Sequence, residues 1–217
     1  MTDEFRTIAG ESTAATKVEG SRFLALAAPV ESKIQAEERL AMVSRQHHDA
    51  AHNCYAYRLG TTGNQFRFRD DGEPSGTGGK PILASIDKLG LSNILVVVTR
   101  YFGGTKLGTG GLARAYSEAA EQALKEAKAV RRYTTEPMRV TFPHSQIGNV
   151  MRIVSKPGIE IEETEYDEEV HLRLLERKSM KSELEHELVE NTAGNIRMDN
   201  TGTGNRTPET GNKRLNG

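Results

Sequence analysis

Two glycine-rich stretches constrain this chain more than any other feature of its sequence. They cover residues 70–81 and 100–116, and the apolar run between them, residues 93–99, has the composition of a buried β-strand. Glycine has no Cβ, so loops this rich in it permit positive φ angles and expose backbone N–H groups. The second stretch leads into a predicted helix that begins near residue 110, whose first-turn amides favour an anion. We therefore predict an anion-binding surface on these loops.

Two established phosphate-binding motifs do not explain this pattern. A P-loop requires a glycine where this chain has Pro74 and a hydroxyl where it has Pro81. Residues 108–113 fit the G-x-G-x-x-A pattern of a dinucleotide site, but the loop that separates them from the strand at 93–99 is too long for the tight turn of that motif. The sequence therefore disfavours both sites.

Hydrophobic periodicity and turn residues predict the elements around the two loops. Ser32 is a suitable N-cap for a helix over residues 33–46. The other predicted elements before residue 131 are strands over 13–19, 22–28, 53–59 and 65–69 and helices over 82–89 and 112–129. After a boundary at 131–136 come strand 138–142, helix 145–155, strands 159–166 and 169–175, helix 179–191 and strand 195–198. This last order, β-α-β-β-α-β, is the ferredoxin-like plan.

Three ordered motifs stand out within the first part of the chain. They read His-Asn-Cys-Tyr-Ala-Tyr-Arg at 52–58, Asp-Gly-Glu-Pro-Ser-Gly-Thr-Gly-Gly-Lys-Pro-Ile at 71–82, and Val-Thr-Arg-Tyr-Phe-Gly-Gly-Thr-Lys-Leu-Gly at 98–108. Together they resemble the signature of the YigZ/IMPACT family. The resemblance is strong over residues 12–130, and the chain to about residue 200 is similar to the smaller domain of bacterial YigZ members.

The resemblance implies an α+β fold in two domains. Residues 12–132 would form a ribosomal-protein/GHMP-kinase-like domain and residues 136–199 a ferredoxin-like domain, an arrangement similar to domains IV and V of elongation factor G. It also implies a role around translation, since eukaryotic IMPACT members regulate the starvation-responsive translation kinase through its ribosome-associated activator. The polar residues 1–11 are expected to form a flexible N-terminus, and the Gly/Asn/Thr-rich residues 200–217 a disordered tail.

The candidate binding residues are long cations and a glycine-rich turn, because phosphate contacts require cationic side chains and free N–H groups. The cations are Lys80, Arg100, Lys106 and Arg114, and the backbone donors are Gly108, Thr109, Gly110 and Gly111. The family-motif loop adds Asp71, Gly72, Glu73, Pro74 and Gly79. Its acids, with Asp70, have two interpretations: magnesium binding or acid–base catalysis, and turn formation with capping of the following helix. We favour the turn.

Histidine and cysteine residues provide weaker signals. His48 and His52 have the spacing of a zinc-binding helix, but the alternating pattern of residues 53–59 places His52 at a strand. Cys54 lies within that strand, where packing is its expected role. We assign no catalytic residue, metal or cofactor from the sequence.

Composition limits the classes of function. Lys and Arg total 29 against 30 Asp and Glu, so any surface for nucleic acid must be local. One cysteine excludes an internal disulfide, and neither a leader nor a long apolar run is present, so we expect a cytoplasmic protein without a membrane partner. The oligomeric state is not fixed by the sequence.

Three functions remain open at this point. The favoured one is a translation-associated regulatory protein that binds RNA or the ribosome. The second is an enzyme acting on a small phosphorylated ligand, because residues 107–113 are similar to the phosphate loop of GHMP kinases. The third is a regulator that binds only a translation-related protein partner.

Overall fold

The computed structural model describes residues 3–199 of the 217-residue chain. These residues form two compact units, one of residues 5–132 and one of residues 3–4 with 133–199. The tail at 200–217 and the first two residues of the expected flexible N-terminus lie outside the described residues. Within the described part, no helix is long and apolar enough to span a membrane.

The larger unit is built on a five-stranded sheet in which all neighbouring strands are antiparallel. In chain order, the elements from residue 4 to residue 133 are β1 (Glu4–Ile8), β2 (Ser12–Val18), β3 (Ser21–Pro29), α1 (Lys33–Gln46), β4 (His52–Leu59), β5 (Gln65–Arg69), α2 (Gly79–Lys88), β6 (Ile94–Tyr101), α3 (Gly108–Glu126) and β7 (Ala129–Tyr133). The strand order is β2-β3-β6-β4-β5, so the apolar β6 lies at the centre and β5 at one edge.

Helices cover both faces of this sheet. Because successive side chains of a strand point to opposite faces, Cys54 and Ala56 of β4 pack in the core under α2 and α3, while Tyr55 and Tyr57 pack in the core under α1. β6 contributes to both cores, which explains why it reads as a continuous apolar run. The alternating pattern of residues 53–59 thus corresponds to a strand with one core on each side.

The helix α1 has the predicted bounds, and its predicted N-cap is present. The Ser32 hydroxyl accepts a hydrogen bond from the Gln35 amide at 3.2 Å, which satisfies one of the free N–H groups of the first turn. The local sequence therefore determines this element.

The N-terminal segment differs from the expected flexible stretch over residues 1–11. β1 pairs with β7 in a two-stranded sheet, and Phe5 and Ile8 are buried. The Ala9 amide also donates to the carbonyl of Lys128 at 2.9 Å. Two buried apolar side chains and a paired backbone hold this segment in place, and its partner strand lies at the far end of the unit's sequence. The local pattern alone could not show that pairing.

The smaller unit has the predicted element order β-α-β-β-α-β. Its elements are β8 (Thr135–Phe142), α4 (Ile147–Val154), β9 (Ile159–Tyr166), β10 (Val170–Arg177), α5 (Lys181–Asn191) and β11 (Arg197–Asp199). The four strands form an antiparallel sheet in the order β11-β8-β10-β9. Side chains from β8 and β10, such as Phe142 and Leu172, share one core with Val150 of α4 and Leu188 of α5. Both helices therefore lie on the same face of this sheet.

Candidate functional site

The family-motif loop between β5 and α2 closes around Asp70. One carboxylate oxygen accepts hydrogen bonds from the amides of Gly78 and Gly79 at 3.0 and 2.8 Å, and the other from the amide of Gly76 at 2.9 Å. Partial burial acts to raise the pKa of this carboxyl, but the three amide hydrogen bonds together lower it below its usual value. The amides of Gly76, Gly78 and Gly79 are thus occupied by Asp70 and do not face an external anion.

Glycine at position 79 is required by close packing. A Cβ at Gly79 would lie 2.6 Å from both the backbone nitrogen and the carbonyl oxygen of Arg69. A Cβ at Gly78 would lie 2.5 Å from the Cys54 sulfur. The glycines of this loop therefore allow it to pack tightly against the sheet.

Glu73 lies at the centre of a buried polar cluster. Its Oε1 atom accepts hydrogen bonds from Arg100 Nη1 at 2.7 Å and from the Tyr116 hydroxyl at 2.9 Å. Arg100 Nη2 lies 3.3 Å from the Ser21 hydroxyl. Burying either charge alone would cost several kcal/mol, so the two charges must compensate each other. This cluster joins the motif loop, β3, β6 and α3.

The position of Arg100 corrects one part of the predicted anion-binding set. Arg100 is only 5% exposed, and its guanidinium lies between the rings of Phe23 and Phe102 at 5.6 and 5.5 Å from their centroids. Glu73 already neutralises the charge of Arg100. The buried ion pair stabilises the fold, and Arg100 is not available to bind a phosphate.

His52 and Asp71 complete the inner side of the motif loop. His52 Nδ1 lies 2.7 Å from the Asp71 carbonyl oxygen, so Nδ1 carries a proton, and Nε2 faces Glu73 Oε1 at 3.9 Å. The Asp71 carboxylate accepts the amide of Asn53 at 2.6 Å. α1 ends before His48, and His52 lies on β4, so the two imidazoles do not share the helical turn that a zinc site of this spacing requires.

Cys54 is fully buried, and its thiol lies 2.9 Å from the Asp70 carbonyl oxygen. Burial is the main cause that raises the pKa of this thiol to about 12. The thiol therefore stays protonated at neutral pH, in agreement with a packing role.

An open pocket of about 630 Å³ lies against the motif loop. It is lined by Tyr55, Phe68, Arg69, Asp70, Asp71, Gly72, Glu73 and Ser75. All three acids in this lining form hydrogen bonds within the protein, and no three His, Cys, Asp or Glu side chains in residues 3–199 are placed to hold a metal ion together. The contacts of the acids match the turn-forming interpretation of the loop.

The second glycine loop is anchored at its start and exposed beyond it. A Cβ at Gly103 would lie 1.9 Å from the carbonyl carbon of Gly20, and the Gly103 amide donates to the Ser21 hydroxyl at 3.2 Å. This close backbone contact fixes the loop on the β2–β3 turn. The residues that follow, up to Gly110, are exposed, apart from a half-buried Leu107.

The N-terminus of α3 lies at the end of this exposed segment. No side chain caps the helix, and its first turn contains no acid. Gly108, Thr109 and Gly110 are exposed, and Gly111 is half-buried. Free amides with their partial positive charge therefore face solvent here.

Three of the four predicted cations are exposed: Lys80, Lys106 and Arg114. Within residues 3–199, none of their side chains forms an ion pair or hydrogen bond. Arg114 Nη1 lies 3.8 Å from the position of a Cβ on Gly110, so its guanidinium lies over the first turn of α3. These charges are free to meet an external anion.

The packing of α2 against α3 brings Lys80 to the same end of the unit. Ser85 of α2 contacts Ser117 of α3 at 3.1 Å, and one turn further on Lys88 pairs with Glu121 at 2.9 Å. The two helices therefore run parallel, with both N-termini at the same end. Lys80 occupies the first turn of α2. We call Lys80, Lys106, Arg114 and residues 108–111 the anion surface.

Comparison with known proteins identifies the chain's relatives. Residues 19–124 match the Impact N-terminal domain, and residues 140–195 match a domain described as "Domain of unknown function (DUF1949)". The chain is 40% identical over 158 residues to the "IMPACT family member in pol 5'region" of Thermus thermophilus, covering 72% of this chain and 84% of that protein. The chain belongs to the IMPACT family.

Two further comparisons extend over nearly the whole chain. The IMPACT family member YigZ of Escherichia coli (strain K12) is 30% identical over 188 residues, which cover 86% of this chain and 92% of that protein. A crystal structure of a hypothetical protein is 28% identical and superimposes with a TM-score of 0.68, covering 91% of this chain and 97% of that chain. The mixed α+β architecture, with an IMPACT domain followed by a smaller one, is therefore shared.

Proposed function

We propose that the larger unit binds RNA phosphates of the translation machinery through the anion surface. The observation that carries this proposal is the uncapped N-terminus of α3, which lies beside exposed cations that have no partner in the described part of the chain. Phosphate oxygens are the acceptors that such amides and cations bind best.

An extended anion fits this surface better than a small enclosed one. Lys80, Lys106 and Arg114 are exposed side chains on three different segments, and such open cations can follow a phosphate backbone. Phe102 lies exposed at the start of the same loop, where an aromatic ring can stack on an unpaired base. These features support single-stranded RNA as the ligand.

Membership of the IMPACT family supports the translational setting, and we propose a cytoplasmic location as part of that setting. We further infer that the smaller unit is ferredoxin-like, supported by its β-α-β-β-α-β order and by a sheet in which β8 and β10 occupy the centre. We also propose, as the family resemblance implies, that the larger unit has a ribosomal-protein/GHMP-kinase-like fold and that the two domains are similar to domains IV and V of elongation factor G.

A catalytic role for the motif loop has less support. A metal-dependent enzyme would require Asp70, Asp71 and Glu73 to face the substrate, whereas each accepts hydrogen bonds from this chain. The loop instead stabilises the start of α2 and its packing against the sheet.

Binding of a fluorescent single-stranded RNA tests the proposal. We expect the double variant Lys106→Ala, Arg114→Ala to bind roughly tenfold more weakly, a loss of about 1.4 kcal/mol. The slope of log K against log salt concentration should become shallower by about 1–2, because two phosphate contacts are removed.

A matched control removes two exposed cations elsewhere. Arg45 and Lys128 are also exposed, and their side chains form no ion pair within residues 3–199. Arg45→Ala, Lys128→Ala should retain the affinity and salt slope of the wild type. Equal effects of the two double variants, or an unchanged slope for the first, would contradict the anion surface.

A further inference from the structure

Among residues 3–199, the five-stranded and the four-stranded sheet each end in a strand whose outer side has no neighbouring strand. β5 is the last strand of the five-stranded sheet, and β9 is the last strand of the four-stranded sheet. The outer N–H and C=O groups of an edge strand have no neighbouring strand, so such an edge can pair with another chain.

The β5 edge alternates aromatic and cationic side chains. Phe66 and Phe68 lie on one face, and Arg67 and Arg69 on the other. Phe68 lies opposite Ala56 of β4, so the phenylalanine face is the one that α2 and α3 cover. Phe66 is 53% exposed nevertheless, because the helices do not cover the edge completely.

The β9 edge alternates in the complementary way. Glu163 and Glu165 lie opposite Arg173 and His171 of β10, on the face without helices. Thr164 and Tyr166 lie on the face that α4 and α5 cover, since their partners on β10 belong to the core. Tyr166 is 66% exposed, and both glutamates are exposed.

We propose that β5 of one copy of this chain pairs with β9 of a second copy, as an added antiparallel strand. One register matches every side chain considered above. It sets Arg67 opposite Glu165, Arg69 opposite Glu163, Phe66 opposite Tyr166 and Phe68 opposite Thr164. In the joined sheet α2 and α3 of one copy lie on the same face as α4 and α5 of the other, and the aromatic pair lies on that face, while α1 lies on the opposite face.

The same charges select against other pairings. Two β5 edges would place arginines against arginines, and two β9 edges would place glutamates against glutamates, which is unfavourable. Arg67 also contacts Glu37 of α1 at 3.3 Å, but this is a partly exposed pair that a new partner can replace. The second copy of the chain is therefore the partner to which this edge is complementary.

Sedimentation of the wild-type chain over a dilution series tests the proposal without any variant. The pairing covers only one short strand on each copy, so we expect weak self-association, detectable at protein concentrations of about 0.1–1 mM and weakened by salt. A mass that stays monomeric over this range would overturn the proposal.

Charge reversal identifies the two edges. The variant Arg67→Glu, Arg69→Glu carries two acidic edges, and the variant Glu163→Arg, Glu165→Arg carries two basic ones. Each variant alone should remain monomeric, whereas an equimolar mixture of the two should associate, because each β5 then meets a β9 of opposite charge.

The control variant Arg45→Glu, Lys128→Glu makes the same change in net charge as the first variant and should associate like the wild type. Association of either edge variant alone at wild-type strength, or none in the mixture, would overturn the proposal.

Discussion

The Glu73 carboxylate is buried with the Arg100 guanidinium and the Tyr116 hydroxyl. Glu73→Ala leaves the guanidinium in an apolar site between two phenylalanine rings with no opposite charge. Removing one partner of a buried pair typically costs about 3–5 kcal/mol, so we expect a loss of this size in the free energy of unfolding. Denaturation by urea measures it.

The control for Glu73→Ala removes both charges together. Glu73→Leu combined with Arg100→Met replaces the pair with apolar side chains of similar size, and we expect it to be more stable than Glu73→Ala by about 1–3 kcal/mol. If Glu73→Ala lowers the free energy of unfolding by less than about 1 kcal/mol, the Glu73–Arg100 pair does not stabilise the fold.

Two glycines of the predicted site should respond oppositely to alanine. At Gly79 a Cβ would collide with the backbone of Arg69, so Gly79→Ala should destabilise by about 1–3 kcal/mol. At Gly110 the nearest atom is 3.8 Å away, so Gly110→Ala should be neutral or gain up to about 1 kcal/mol of helix propensity. Thermal melts compare the two variants directly. Equal losses of stability in the two variants would contradict the tight packing at Gly79 and the open space at Gly110.

The structural role of Asp70 could be predicted from the sequence, but that of Arg100 could not. Asp70 precedes a glycine-rich turn, and turn formation with helix capping was the favoured interpretation of the acids in this loop. The burial of Arg100 could not be predicted, because its partner Glu73 comes from another loop and meets it only after β6 has taken the centre of the sheet. A cation next to a glycine-rich loop looks the same in sequence whether it faces solvent or an internal carboxylate.

Near the end of β10, Glu176 is 0% exposed, and neither of its carboxylate oxygens has a hydrogen-bond partner within residues 3–199. It lies opposite Glu136 of β8, whose carboxylate already pairs with Lys178 and Lys181. Burial is the main cause that raises the pKa of Glu176 to about 7, and the charge on Glu136 adds to this, while Lys181 opposes it.

A raised pKa in the folded state fixes the sign of the pH dependence. Between its ordinary pKa of 4.5 and about 7, the folded chain holds a proton on Glu176 that the unfolded chain releases. The free energy of unfolding should therefore fall by roughly 2–3 kcal/mol as pH rises through this window. Urea denaturation at pH 4.5 to 8 measures the fall.

Two glutamine variants locate the source of this pH dependence. Glu176→Gln should largely remove the fall, since glutamine does not titrate. Glu160→Gln changes an exposed glutamate on the neighbouring β9 and should leave the fall intact. An unchanged pH profile for Glu176→Gln would exclude Glu176 as the titrating group.

Elements with a strong local pattern were predictable, and those formed by distant pairing were not. α1 has its cap and period within its own sequence and occupies the predicted residues. The β1–β7 pair joins two short segments from opposite ends of the larger unit, one expected to be flexible and the other assigned to a helix end and a domain boundary. The exposure of Phe66 follows from the edge position of β5, which depends on the order of all five strands.

At the scale of the whole chain, 29 basic residues balance 30 acidic ones, so no global field attracts a polyanion. The nearly neutral chain nevertheless carries local groups of charge of both signs: the glutamates of β9 and the cations of the anion surface. The proposed RNA binding therefore requires a few local side chains and not a net positive charge. The sum of the charges can be read from the sequence, whereas their grouping on particular elements is known only from the fold.

Recovery of partners from a lysate separates the proposed RNA contact from binding to a protein alone. At low salt, the tagged full-length chain should recover ribosomal RNA, and prior treatment of the lysate with ribonuclease should abolish this recovery. Lys106→Ala, Arg114→Ala should recover severalfold less, and Arg45→Ala, Lys128→Ala as much as the wild type, because phosphate contacts depend on where the cations lie. Partners that survive ribonuclease and do not respond to the first double variant would instead identify a regulator that binds protein.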